Sequence, residues 1–174
     1  MKLGTSDSKL KTHGFTLFEL VVVLVVVLLL GTAFLERLRF YQEMAEKAAM
    51  EATLRLIKTG LQIRLAELII ANRQGEAMQL EIEDPTRWLD TPPSNYAGLY
   101  RERPASGAWY FDPREQQLVY VANIGDRLKL DGATGSKEIR FRARLLKDRV
   151  PVAGGTIEGV TGVTLTPIHR YRWS

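Results

Sequence analysis

Cysteine is absent from the 174-residue chain, so it can build neither a disulfide staple nor a thiolate metal site. That absence says little about compartment, because exported proteins can do without bridges. Proline is absent from residue 15 to residue 84, so nothing in that stretch forbids a helix. Charge is nearly absent from Phe15 to Leu35, where Glu19 is the one charged side chain. Histidine is scarce. His13 reads as incidental, and His169 has no serine, second histidine or carboxylate at a recognisable motif spacing. No phosphate loop, zinc spacing or calcium loop is present. The sequence therefore names no catalytic residue, no metal ligand set and no cofactor, and an enzyme is not expected. Asp126, Asp131 and Glu138, around glycine-rich sequence, come nearest to a loop cation site.

What the chain does have is an uninterrupted aliphatic run, Leu20 to Leu30, opened by Gly14-Phe15-Thr16-Leu17-Phe18-Glu19. Phe15 to Leu35 is 21 residues. At 1.5 Å per residue that is about 31 Å of helix, enough to cross the hydrocarbon core of a bilayer. A carboxylate at the bilayer centre costs roughly 2.5–3.5 kcal/mol, so Glu19 needs a partner or a purpose. Lys2, Lys9 and Lys11 precede the run and should hold the N-terminus on the cytoplasmic side, with the bulk of the chain exported. Set against Asp7 they give the first fourteen residues half of the formal net charge of +4, which thus reads as topology rather than nucleic-acid binding. A secretory signal peptide is the plainer alternative, with Gly31 and Ala33 as small residues for a signal peptidase. Glu19 argues against it, since a signal peptide gains nothing from a carboxylate there.

Beyond Leu35 the pattern becomes amphipathic. Leu54, Ile57, Leu61, Leu65 and Leu68 recur at spacings of three and four, one stripe of a helix that should lie on a domain. Gly60 reads as a weak point, costing up to about 1 kcal/mol against alanine. Asn72-Arg73-Gln74-Gly75 reads as the stop, with Gly75 suited to a left-handed terminal position. Residues 76–107, rich in proline and aromatics, read as a packed loop with a helical turn near Pro85 to Leu89. From Ala108 the period changes to two. Trp109-Tyr110-Phe111 and Gln117 to Val121 form two strands about a turn, and Ile139, Phe141, Ala143 and Leu145 alternate with Arg140, Arg142 and Arg144. Arg170 and Arg172 repeat the alternation at the C-terminus. Alternating arginines are ordinarily the solvated face of a half-buried sheet, and a binding surface is the sharper alternative. The fold class is α+β: a long N-terminal helix, apolar in its first third, packed on an antiparallel sheet of about four strands in residues 108–174.

Gly14-Phe15-Thr16-Leu17-Phe18-Glu19-Leu20 abutting the aliphatic run resembles the N-terminal signature of type IV pilins and type II secretion pseudopilins. The resemblance covers Gly14 to about Leu35, roughly an eighth of the chain. It implies a leader of residues 1–14, cut between Gly14 and Phe15 by prepilin peptidase. Methylation of the new Phe15 amine would follow, with residues 15–35 as membrane and filament-core helix, residues 36–75 as its amphipathic continuation and residues 76–174 as a pilin-like globular domain. Glu19 would guide assembly by meeting the α-amino group of Phe15 on a neighbouring subunit. The implied partners are prepilin peptidase, other pilin or pseudopilin subunits, the inner-membrane assembly platform and lipid, while nucleic acid is disfavoured. The implied location is the bacterial inner membrane, with the C-terminal domain in the periplasm, and then a filament. The chain lacks the C-terminal cysteine pair and the proline near residue 36 common in major pilins, which leans the resemblance toward a minor pilin or pseudopilin. A membrane-anchored periplasmic binding module that never polymerises is the rival, with Arg140, Arg142, Arg144, Arg170 and Arg172 as its candidate ligand or DNA surface.

Overall fold

The computed structural model describes residues 16–132, 137–152 and 155–174. Helix α1 spans Leu17–Ile70, and the chain divides into two compact units after Phe40. In the first unit every described residue from Thr16 to Arg39 is exposed. The apolar side chains among these described residues are left uncovered, as expected of a segment built for an environment other than water. By length and composition the helix is able to cross a membrane.

The second unit, Tyr41–Ser174, carries the remainder of α1 laid on a β-sheet. Ile57, Leu61, Leu65 and Leu68 are buried and Leu54 packs against them, so the expected stripe is the core face of the helix. The helix ends at Ile70 in a Schellman arrangement. The Arg73 N–H reaches the Leu68 carbonyl at 2.8 Å and the Asn72 N–H reaches that of Ile69 at 3.1 Å. Asn72, at φ 54°, is the left-handed residue, where Gly75 had been expected. Asparagine tolerates that region because its short polar side chain bonds locally. Gly75 instead enters a 3₁₀ turn, Gln74–Met78, that leads into a short helix α2, Gln79–Ile82. A second 3₁₀ turn, Pro85–Trp88, stands where the helical turn was expected. Asp84 caps it by accepting from the Thr86 N–H at 2.9 Å.

Seven strands follow: β1 Tyr96–Leu99, β2 Ala108–Asp112, β3 Gln117–Val121, β4 Leu128–Leu130, β5 Glu138–Val152, β6 Gly155–Pro167 and β7 Tyr171–Trp173. The main sheet has the order β1-β2-β3-β5-β6, and β4 pairs with β7 in a separate two-stranded sheet. This corrects the expectation of about four antiparallel strands confined to residues 108–174. β1 lies inside the segment read as loop and runs parallel to β2, so the sheet is mixed. The signal was weak, because β1 is four residues long and is interrupted by Gly98 at φ 88°. The C-terminal strand leaves the main sheet because Trp173 dives to the helix, where it is only 3 % exposed.

The turn between β2 and β3 falls where the sequence placed it. The Asp112 carboxylate accepts from the Arg114 N–H at 3.1 Å and from the Glu115 N–H at 3.4 Å, which closes the loop. β3 is central, and all five of its residues are buried. Leu118 and Tyr120 face the helix with Trp109, Phe141 and Ile139. The Trp109 ring sits 4.9 Å from that of Tyr120 and 5.9 Å from that of Phe141, an aromatic block at the centre of the core. On the opposite face Val119, Val121 and Tyr110 form a second cluster under Tyr100. The β1–β2 connection covers it, with the Tyr110 hydroxyl accepting from the Ala105 N–H at 2.8 Å. That half of the sheet is therefore dry on both sides.

Gly60 is a requirement of the packing rather than a flaw in the helix. A Cβ placed there would stand 2.7 Å from Leu89 Cδ2 and 3.0 Å from the Trp88 carbonyl oxygen. The glycine lets the chain after the second 3₁₀ turn press onto the helix. Alanine would gain about 1 kcal/mol of helix propensity. Overpacking against a backbone carbonyl costs about 1–3 kcal/mol, so the clash wins. Gly60→Ala is expected to lower the urea midpoint of the domain. A raised midpoint would show that the segment 88–91 yields freely.

Candidate functional site

Gly14 and Phe15, the expected cleavage pair, lie outside the described residues. Thr16 opens the helix, its hydroxyl accepting from the Glu19 N–H at 3.2 Å in the manner of an N-cap. Glu19 itself is exposed, and among the described residues its carboxylate has no hydrogen bond or ion pair. The segment thus presents one carboxylate near the start of an apolar helix, with any partner supplied from outside the described chain.

The five arginines of the expected surface do not converge. Arg140 is spent on structure. It lies 3.0 Å from Glu138, 3.3 Å from Asp112 and 4.8 Å from the centroid of the Tyr100 ring. Burial works to lower its pKa, but the hydrogen bond and charge of Glu138 more than offset it, leaving the guanidinium more basic than usual. Arg142 donates to the Glu115 carbonyl at 3.0 Å, while Arg144 is exposed beyond it on β5. With Arg114, Glu81 and Glu115 these two line a cleft of about 350 Å³. Arg172 is exposed on the other sheet, where it pairs with Lys129 across β4 and β7, and Arg170 is exposed just before β7. The acids are likewise dispersed. Asp126 lies 3.7 Å from Lys137, and Glu138 accepts from Tyr100 at 2.7 Å as well as from Arg140. Among the described residues no group of three metal-ligating side chains comes together.

The residues that organise the N-terminal end of this unit were missed in the sequence. Glu43, a carboxyl side chain, is 1 % exposed. It accepts from the Arg127 backbone N–H at 2.8 Å and the Trp173 indole N–H at 2.9 Å, with the Arg127 guanidinium 3.4 Å away. One turn on, Glu46 takes the backbone N–H groups of Asn123 and Ile124 and the Tyr120 hydroxyl, the last at 3.0 Å. Lys47 donates to the Trp173 carbonyl at 2.6 Å. Three polar side chains at spacings of three and one, Glu43, Glu46 and Lys47, thereby pin the chain 123–127 and the strand β7. A signal was available, since the stripe Ile57, Leu54, Met50 extends backwards through Lys47 to Glu43. A carboxylate on an apolar stripe marks a buried partner set.

Comparison of the chain with family models, with curated proteins and with solved structures gives no match. The class of protein rests on residues and geometry alone: an apolar, membrane-competent helix carried into an α+β domain.

Two outcomes follow for this end of the domain. Glu43→Ala leaves the Trp173 and Arg127 donors unpaired and opens a cavity. The loss should be on the order of 3 kcal/mol, dominated by orphaned donors rather than by the ion pair, whose arginine is 46 % exposed. Thermal unfolding followed by circular dichroism reads it, and an unchanged midpoint would refute the clamp. Alkali should act through Tyr120 and Tyr96. Burial first, then the carboxylates of Glu46 and Asp84, push both phenols well above their usual value. The unfolded chain sheds these protons near pH 10 while the fold holds them. Their stabilisation is therefore complete below about pH 10 and lost as pH climbs through the raised values. Tyr120→Phe should flatten that alkaline limb, measured as urea midpoint against pH, and an unaltered slope would count against the Tyr120 share.

Proposed function

We propose that this chain is a structural subunit of the type IV pilin and pseudopilin class, cut after Gly14 and packed helix against helix into a filament as a minor component. The observation that carries the reading is the exposed apolar helix from Leu17 to Leu35 with its single unpartnered carboxylate, Glu19, beside a domain with its own core. Apolar surface of that extent needs lipid before assembly and a dry helical surface after it. Moving between the two costs little, because each residue trades one apolar environment for another. Glu19 is the exception. Withdrawn from water it needs a cation, and the free α-amino group of Phe15 on an adjacent subunit supplies one at the same depth. Lys2, Lys9 and Lys11 orient the precursor with its domain in the periplasm. Prepilin peptidase and the assembly platform of the inner membrane are the partners this reading requires. The globular domain does no chemistry in it, but gives the subunit its place in the assembly.

A second reading draws on the cleft lined by Arg114, Arg142 and Arg144. In it the chain is an anchored periplasmic module for an acidic ligand and never polymerises. It needs no cut after Gly14, so one measurement separates the two. Intact mass of the membrane-extracted protein should correspond to a chain starting at Phe15 with a methylated amine. A start at Met1 in cells with active prepilin peptidase, or one after Ala33, overturns the subunit reading. Glu19→Ala should leave the cut intact while depleting the chain from sheared filaments. Wild-type incorporation of that variant would sink the charge pairing.

A further inference from the structure

The cleft beside β5 gathers guanidinium groups that the fold leaves unengaged, at a place where the sheet has an open edge. β3 begins at Gln117, and its pairing with β5 extends only to Leu118 opposite Phe141. Beyond Phe141 that edge of β5 has no neighbouring strand. The backbone groups of alternate residues in a strand point to the same edge. The Leu145 N–H on this edge is taken at 2.6 Å by the Glu81 carboxylate, a side chain standing in for the missing strand. Ala143, two residues earlier, presents its backbone to the same side and lines the cleft. Three arginines surround it, Arg114 from the β2–β3 turn and Arg142 and Arg144 from β5. Among the described residues the side chains of Arg114 and Arg144, both exposed, have neither a hydrogen bond nor an ion pair. Arg142 is half engaged. One terminal nitrogen donates to the Glu115 carbonyl at 3.0 Å, while its Nε is shut off from solvent with no partner among the described residues. A buried donor without an acceptor is a penalty that an acceptor arriving from outside removes.

The lining also narrows the chemistry of what can enter. Glu81 and Glu115 stand in the same cleft, so three guanidinium forks against two carboxylates leave a small positive excess. That balance suits a carboxylate, which a guanidinium fork holds with two parallel hydrogen bonds. A phosphate group would bring about two negative charges close to Glu81 and Glu115, and a nucleic-acid strand would bring a series of phosphates. An extended peptide brings, beside a carboxylate, the backbone N–H and C=O groups that an open strand edge pairs with. Because Glu81 already occupies the Leu145 N–H, pairing falls to Ala143, which fixes the register of the incoming chain. The site is largely formed in advance, since Asp112 closes the turn that carries Arg114 by accepting from the Arg114 and Glu115 N–H groups.

We propose that this cleft binds an acidic, extended peptide segment of a partner protein, with Arg142, Arg144 and Arg114 around its carboxylate and Ala143 pairing with its backbone. The proposal rests on the cleft of the anchored-module reading, but it applies equally to a cut and assembled subunit. The test uses the full-length chain in dodecyl maltoside micelles and a fluorescein-labelled hexaglutamate peptide, read by anisotropy. Binding should saturate, and a hexaglutamine peptide should not bind. Arg114→Gln and Arg144→Gln should each weaken binding about tenfold, the loss of one charge-assisted hydrogen bond, without moving the urea midpoint. Arg172→Gln, on the other sheet, should leave binding unchanged. No saturable binding, an equal loss from Arg172→Gln, or unaltered affinity in both cleft variants would each overturn the proposal. So would displacement of the peptide by an equal concentration of inorganic phosphate, or tighter binding of hexathymidylate, because either assigns the cleft to phosphate. Intact mass of the same sample, purified from cells with active prepilin peptidase, keeps the ideas apart. A chain starting at Phe15 that fails to bind sinks the cleft alone, and an uncut chain that binds sinks the subunit reading alone.

Discussion

The domain depends on a carboxylate held where water cannot reach it. Burying Glu43 is costly, by several kcal/mol for an isolated ion, and the fold meets that cost with two directed N–H donors and one partly exposed guanidinium. The donors come from Arg127 and Trp173, segments that follow β3 and end the chain. A hydrophobic contact at the same place would tolerate sliding, whereas hydrogen bonds to a charge fix distance and angle together. Glu46 and Lys47 extend the same device by one step on either side of the indole and the 123–124 backbone. The small β4–β7 sheet exists because this clamp draws the C-terminus to the helix.

Helix α1 is best understood as three surfaces with different solvents. Its first part, from Leu20 to Leu35, carries no charged side chain and is exposed along its whole length. From Tyr41 onward one face is the floor of the core, and Gly60 is the point where the loop after the second 3₁₀ turn comes closest. The opposite face keeps large aliphatic residues, Leu56, Ile63 and Ile70, that the monomer leaves exposed. A helix with a single task would be polar there, since exposed aliphatics at fixed spacing give a lone domain nothing.

The arginines on β5 illustrate how one alternating pattern divides once packing is imposed. Arg140 lies where the sheet is covered on both faces, so it became a paired and half-buried strut between Asp112, Glu138 and Tyr100. Arg144, four residues further along β5, passes the end of β3 and stays in solvent. The backbone there is finished by other means, with Glu81 of α2 accepting the Leu145 N–H at 2.6 Å.

Local and periodic features were legible in the chain as written. The charge-poor run with Glu19, the core stripe from Leu54 to Leu68, the β2–β3 turn at Asp112 and the α+β class all follow from spacing that neighbouring residues enforce on one another. Gly60 was visible too, but with the wrong sign, because propensity is a property of a helix and close approach is a property of what lies against it. Tertiary structure alone decided the rest. It placed the short parallel strand β1, whose pairing comes from a segment a dozen residues away. It made Asn72 rather than Gly75 the left-handed stop. It scattered five similar arginines between β5 and the end of the chain, and it chose Glu43 as the buried carboxyl. Each of these depends on which distant backbone donor or ring arrives at a given side chain, and no window of sequence contains both ends of such a contact.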